Sequence, residues 1–137
     1  MVVLMKYYKL LLSATLCVSF SNFAHAVSDD QVRAEINKLK IVNVKCQTVS
    51  SDPFDQNHFN CYSNVFNKAS QIATTISKNM NNGEAAKALI EHNQNYQKTF
   101  TMCDQMYAGY PELKALNMQC KATNKLGWLS FMPSLMK

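Results

Sequence analysis

His58 and Cys61 are the two residues whose types and spacing come closest to a chemical function. They are three positions apart, so a helix places the imidazole and the thiol one turn apart on the same face. Such a pair can act as a base and a nucleophile, or supply two zinc ligands completed by Cys103 and Cys120. Both uses need free thiols. If the cysteines are oxidised, we expect His58 only to form a hydrogen bond near a helix N-terminus.

The other groups that could do chemistry are scattered along the chain. His92 could bind a haem iron together with Met80 or Met106, but the sequence contains no C-x-x-C-H attachment motif. The carboxylates form no acid and base pair, since even Glu84 and Glu91 are two helical turns apart. The sequence therefore predicts a protein that is not an enzyme, with no catalytic residue, no metal ligand and no cofactor.

Residues 1–26 have the form of a signal peptide. Lys6 and Lys9 make a basic start, an apolar stretch follows, and residues 24–26, Ala-His-Ala, have the small-x-small pattern of a cleavage site. The apolar stretch is shorter than the about 20 residues that a lasting membrane span needs. We expect the mature chain to begin at Val27 and to be periplasmic or secreted.

Four cysteines remain after cleavage, and an even number in a short exported chain predicts two disulfides formed in an oxidising compartment. They are Cys46, Cys61, Cys103 and Cys120. The first two flank Pro53 and the last two flank Pro111, which favours the pairs Cys46–Cys61 and Cys103–Cys120. A nested pairing, Cys61 with Cys103 and Cys46 with Cys120, also fits, because Cys61 and Cys103 lie at similar distances from Gly83.

Apolar residues recur at helical spacing through the middle of the chain, which predicts two long helices. One is expected from Pro53 to about residue 80, capped by Asp52, and the next from residue 84 to about residue 108. Residues 81–83, Asn-Asn-Gly, would join them, with Gly83 free to adopt a positive φ. These two helices are expected to face each other as a hairpin.

A shorter helix is predicted on either side of this central pair. Ser28 and Gln31 have the spacing of a capping box, so the first helix should start there and run to about residue 44. The last helix should follow Pro111 and end between residues 124 and 127. Together the helices predict an all-α fold over residues 27–127, a small four-helix bundle of two helical hairpins stapled by two disulfides.

Residues 128–137 form an apolar C-terminal tail. Its large apolar residues are Trp128, Leu129, Phe131, Met132, Leu135 and Met136. In one interpretation the tail folds back and caps the open end of the core. In the other it is an anchor for a partner or a membrane surface, with Trp128, Leu129, Phe131 and Met132 as the binding residues, because this composition is typical of binding hot spots.

Three classes of function remain, and the third, an enzyme or a redox or metal protein, would require a free thiol or a bound metal. The basic residues are dispersed despite a formal net charge of +5, so no concentrated nucleic-acid footprint is expected. The first class is an exported, non-enzymatic protein that binds another protein of unknown identity, as an inhibitor, an immunity protein or an adaptor. The alternative is a carrier of an apolar small molecule in the bundle core, where tyrosines such as Tyr62 and Tyr96 could line a pocket.

Overall fold

The computed structural model describes residues 27–80 and 83–136, which contain four α-helices and no strand. The helices are α1 (Asp29–Lys45), α2 (Gln56–Lys78), α3 (Gly83–Met106) and α4 (Lys114–Leu129). Short 3₁₀ helices lie at Cys46–Thr48, Pro111–Leu113 and Met132–Met136. The predicted all-α, four-helix fold is confirmed. The predicted signal peptide, and Asn81 and Asn82 of the predicted turn, lie outside the described residues.

The start of α1 is the predicted capping box. The Ser28 hydroxyl accepts a hydrogen bond from the Gln31 backbone N–H at 3.2 Å, and the Gln31 side-chain oxygen accepts one from the Ser28 N–H at 3.1 Å. Two backbone donors that a helix N-terminus would leave unpaired are thereby satisfied. The helix then buries its apolar stripe of Val32, Ile36 and Leu39.

The N-cap of α2 lies three residues beyond the predicted one. Asp55, rather than Asp52, caps the helix, because its carboxylate accepts hydrogen bonds from the backbone N–H groups of Asn57 at 2.6 Å and His58 at 3.1 Å. The Asp52 carboxylate accepts instead from the Phe54 N–H at 2.9 Å, which closes a turn before the helix. The prediction of Asp52 as the cap was wrong because both acids suit a cap and spacing alone does not choose between them.

α2 and α4 form the central pair of the bundle. They start at the same end, where Lys114 donates a hydrogen bond to the side chain of Gln56, and they pack along their lengths. Small buried residues, Ala69 on α2 and Ala115 and Ala122 on α4, favour this close approach. α1 packs against both helices, whereas α3 packs mainly against α4.

The expectation that α2 and α3 face each other along their length is wrong. The rings of Phe66 on α2 and Phe100 on α3 meet edge to face, with their centroids 5.5 Å apart. However, both helices pack mainly against α4. Gly83 is the first residue of α3 and has no positive φ, which contradicts the predicted turn geometry. Within the described residues the positive φ is found at Gly109, at 82°, where the chain leaves α3.

The prediction that α4 ends between residues 124 and 127 is also wrong. The helix continues through Gly127 to Leu129, and the Ser130 N–H bonds back to the carbonyls of Leu126 and Gly127. Glycine inside a helix costs about 1 kcal/mol. Burying a large apolar side chain contributes about 1.5 to 3 kcal/mol, and the extension buries both Trp128 and Leu129.

Candidate functional site

The four cysteines form the two disulfides that the sequence analysis favoured. Cys46 is bonded to Cys61 with Cα atoms 5.6 Å apart, and Cys103 is bonded to Cys120 with Cα atoms 5.9 Å apart. The first ties the end of α1 to α2, and the second ties α3 to α4. The nested pairing is therefore wrong. None of the four sulfurs is free to act as a nucleophile or a metal ligand. Structural disulfides are typical of proteins in oxidising compartments.

Both disulfides lie toward the same end of the bundle. Lys114 lies over the Phe59 ring at 5.4 Å, and Lys125 lies over the Phe66 ring at 5.9 Å. Cys61 lies between Phe59 and Phe66 on α2, and Cys120 lies between Lys114 and Lys125 on α4. The two disulfides are therefore at a similar level along the paired helices. We refer to residues 41–61 and 102–120 as the disulfide end.

The two histidines of the described chain have ordinary partners. His58 is buried, and its Nε2 lies 3.0 Å from the Ser50 carbonyl oxygen, so the ring nitrogen donates this hydrogen bond. The predicted hydrogen bond of His58 near a helix N-terminus is confirmed. His92 is exposed on α3, with its ring 6.1 Å from that of Tyr96. Within residues 27–80 and 83–136, no three His, Cys, Asp or Glu side chains are grouped closely enough to hold a metal ion.

The structure separates the four residues of the tail that were predicted to bind a partner. Trp128, Leu129 and Met132 are buried in the apolar core, together with Pro133. Phe131 is 61% exposed. Burial of the first three agrees with the capping interpretation of the tail. In this arrangement only Phe131 is placed to contact a partner or a membrane surface, and that role stays a prediction.

Lys125 is the most unusual polar residue of the interior. It is only 7% exposed, and its ammonium nitrogen lies over the rings of Trp128 at 4.4 Å, Phe100 at 5.6 Å and Phe66 at 5.9 Å. No carboxylate among the described residues forms an ion pair with it. Aromatic faces attract a cation, yet burial lowers the pKa of Lys125 because desolvation disfavours its charged form. We interpret this aromatic box as a structural feature of the core.

A groove between α1 and α2 is the best candidate for a binding site. It has a volume of about 380 Å³ and is open to solvent along its outer side. Its apolar lining consists of Val27, Val32, Leu39, Val42 and Ile72. Val32 and Leu39 are buried core residues, whereas Val42 is 43% exposed at one end. The groove thus gives an external ligand access to the apolar face between two helices.

The edges of the groove are polar and carry a positive charge. They are lined by Gln31, Glu35, Lys38, Lys68, Gln71 and Thr75. Lys38 forms an ion pair with Glu35 at 2.7 Å, and both side chains are largely exposed. Lys68, on the opposite edge, has no ion-pair partner among the described residues. An anionic group near Lys68 would therefore meet an available cation.

Most exposed large apolar side chains of the described residues, including Val42 of the groove, lie at the disulfide end. They are Ile41, Val42, Val44, Val49, Phe54, Met102, Met106 and Tyr110. Of the exposed large apolar residues in the described part of the chain, Ile90 and Phe131 lie elsewhere. The disulfide end thus leaves more of its large apolar side chains in solvent than the rest of the described chain does.

The groove was not predicted from the sequence. Only the residues of its apolar floor follow a pattern that can be recognised in the sequence. Val32 and Leu39 on α1, and Ile72 on α2, lie at the helical spacing of apolar residues that predicts a buried face. Lys38 and Lys68 come together only through the packing of the two helices. Lys125 had a weak signal, since it lies one turn before Leu129 at the edge of the buried face of α4.

The chain matches no known protein-family model, no curated protein and no solved structure. Within residues 27–80 and 83–136, each helix is too short or too polar to cross a membrane.

Proposed function

We propose that this is an exported, non-enzymatic protein that acts by binding another protein in the periplasm or outside the cell, as an inhibitor, an immunity protein or an adaptor. The observation that carries the proposal is the α1–α2 groove, an open apolar surface with a polar rim on a rigid bundle. An apolar centre surrounded by a polar rim is the usual anatomy of a protein interface.

The two disulfides support a binding role in an oxidising compartment. Each closes a short loop, with sequence separations of 15 and 17 residues, and joins two helices. A surface that is already ordered before binding loses little conformational entropy when the complex forms. The bundle therefore presents its groove at low entropic cost, which favours recognition by shape.

Site-directed photo-crosslinking tests this proposal. A photoreactive amino acid is placed at Gln71, which lines the groove, and as a matched control at Gln97, an exposed residue of α3. Each variant is expressed in the native cells. We expect a specific covalent adduct with a second polypeptide from position 71 and not from position 97.

The crosslinked polypeptide is then purified, and its affinity for the wild-type protein is compared with that for Val42→Ser. Val42 lies at the exposed end of the groove, so its replacement should leave the fold intact. We expect about fivefold weaker binding from the lost apolar contact. Equal crosslinking from both positions, or an unchanged affinity of the Val42→Ser variant, would contradict a protein-binding role of the groove.

The carrier function is retained as a second candidate because the groove volume of about 380 Å³ falls within the range of about 300 to 1,000 Å³ that is usual for small-molecule sites. The position differs from the predicted one, since the cavity lies between α1 and α2 rather than in the bundle core. Native mass spectrometry of the protein purified from its own cells tests it. A bound small molecule that is lost in Val42→Ser would favour the carrier.

A further inference from the structure

We infer that the occupant of the α1–α2 groove is an amphipathic α-helix of a partner protein, with acidic side chains beside its apolar stripe. This inference rests on the proposed protein-binding function and specifies the partner's chemistry.

The length of the groove matches a helix. Its lining starts at Val27, just before α1, and extends on α1 from Gln31 to Val42 and on α2 from Lys68 to Thr75. With a rise of 1.5 Å per residue, the α1 edge from Gln31 to Val42 is about 16 Å long and the α2 edge about 10 Å long, which correspond to roughly three and two helical turns. A helical segment of about two to three turns could lie along the groove between α1 and α2.

The residues along the α1 edge of the groove recur at the spacing of three or four positions at which packed helices contact each other. On α1 the lining residues Gln31, Glu35, Lys38 and Val42 recur every three or four positions. Side chains of an incoming helix at positions i, i+3, i+4 and i+7 pack between such rows. The apolar contact would be made by Val32, Leu39 and Ile72 at the floor.

The charges around the groove specify an acidic partner. α2 contains no Asp or Glu between Gln56 and Lys78. No carboxylate on the same helix can therefore form an ion pair with Lys68 in place of a partner's acidic residue. Across the groove, Glu35 is paired with Lys38. The partner's acidic residue is therefore expected opposite Lys68, where a complementary charge increases the association rate and determines the orientation of the helix.

The open outer side favours a helix over a lipid-like molecule. Small-molecule sites typically bury about 70 to 90% of their ligand, and an alkyl chain in this groove would leave one side in water. A helix has a polar face that remains solvated when its apolar stripe is buried.

The test uses two fluorescein-labelled peptides of 18 residues with the same leucine stripe, flanked by Glu in one and by Lys in the other. Binding to the disulfide-bonded mature protein is measured by fluorescence anisotropy at low and high salt. We expect the Glu peptide to bind about tenfold more tightly than the Lys peptide, and the difference to shrink with salt. The variant Lys68→Glu should reverse the preference.

Two further variants make the result specific. Lys98→Glu on α3 changes the net charge equally but lies away from the groove, so it should leave both affinities unchanged. Val42→Ser should weaken both peptides by about fivefold through lost apolar contact. Circular dichroism confirms that each variant is folded.

The inference is overturned if neither peptide binds, if Lys68→Glu and Lys98→Glu have the same effect, or if laurate but not the peptides binds the groove. The photo-crosslinking experiment is independent of these peptides. If the partner segment crosslinked at position 71 is not helical, the inference of a helical partner is wrong, but the proposed protein-binding function still stands.

Discussion

The two ends of the bundle are held together by different means. At the disulfide end the buried residues are few, with Cys46, His58, Cys103 and Ala115 among them, and covalent bonds join the helices in pairs. At the opposite end, which we call the tail end, the residues after Gly127 fold back onto α1, α2 and α3. There Leu129 and Met132 join Ile76 in a continuous apolar core.

The comparison shows how a small domain can leave apolar surface exposed. The tail end buries its large apolar side chains and is stabilised mainly by the hydrophobic effect. The disulfide end leaves residues such as Phe54, Met106 and Tyr110 in solvent, so it gains less from burial. The disulfides compensate by restricting the unfolded chain. We expect the two ends to respond differently to the variants below.

Deleting residues 128–137 should have the largest effect. The deletion removes the fully buried Leu129, Met132 and Pro133 as well as Trp128. Since truncation of one large core residue costs about 3 to 5 kcal/mol, and a whole domain is stable by about 5 to 15 kcal/mol, the shortened chain should not fold. Far-ultraviolet circular dichroism measures the loss. The control Phe131→Ala should change the free energy of unfolding by less than about 0.5 kcal/mol. If the chain without residues 128–137 folds, the tail is not needed to complete the core.

Removing one disulfide should have the next largest effect. The loops that they close have similar lengths, so the double variants Cys46→Ser/Cys61→Ser and Cys103→Ser/Cys120→Ser should each lower the free energy of unfolding by about 3 kcal/mol. Urea denaturation measures both. In hydrogen exchange, the Cys46→Ser/Cys61→Ser variant should lose protection first around Phe59, in the first hydrogen-bonded turn of α2 at the disulfide end. Equal loss of protection around Ile76 would contradict the separate stabilisation of the two ends.

Lys125 lies between the two ends and should make stability depend on pH. Burial lowers its pKa from the ordinary 10.5, so between the lowered pKa and 10.5 the unfolded chain binds the proton more strongly than the folded chain. Stability should therefore rise with pH through this window. Lys125→Met should abolish the rise, because methionine does not bind a proton.

The measurement is urea denaturation at several pH values up to about 9. Burial raises the pKa values of Tyr62 and Tyr96. Above this pH the unfolded chain therefore loses tyrosine protons before the folded chain does, which lowers stability and would mask the rise due to Lys125. Lys98→Met, at an exposed position, is the control and should keep the rise. If Lys125→Met keeps it as well, Lys125 is not the group responsible.

The smallest effect is expected at the turn that leaves α3. Gly109 has a φ of 82°, so Gly109→Ala should cost about 1 kcal/mol through backbone strain. Gly83, at the start of α3, has no such φ and open space where a Cβ would lie. Gly83→Ala should therefore be neutral or stabilise by about 0.4 to 1 kcal/mol. The difference in thermal midpoint between the two variants measures the strain, and equal midpoints would contradict it.

The sequence by itself determined the features that depend on neighbouring residues. The capping box of Ser28 and Gln31 and the helical character of the four segments follow from local hydrogen bonding and apolar spacing. The pairing of Cys46 with Cys61, and of Cys103 with Cys120, was favoured because each pair flanks a proline between two helices. These interactions join residues that are close in sequence, so their pattern can be recognised without the fold.

Only the tertiary structure decided the features that depend on which helices meet. The central position of α4, the aromatic box around Lys125 and the groove beside Lys68 all join residues that are distant in sequence. The burial of Trp128 extends α4 through Gly127, which local propensity opposes. The physical reason is that an apolar stripe shows that a face is buried but not which partner buries it, since the hydrophobic effect has no direction.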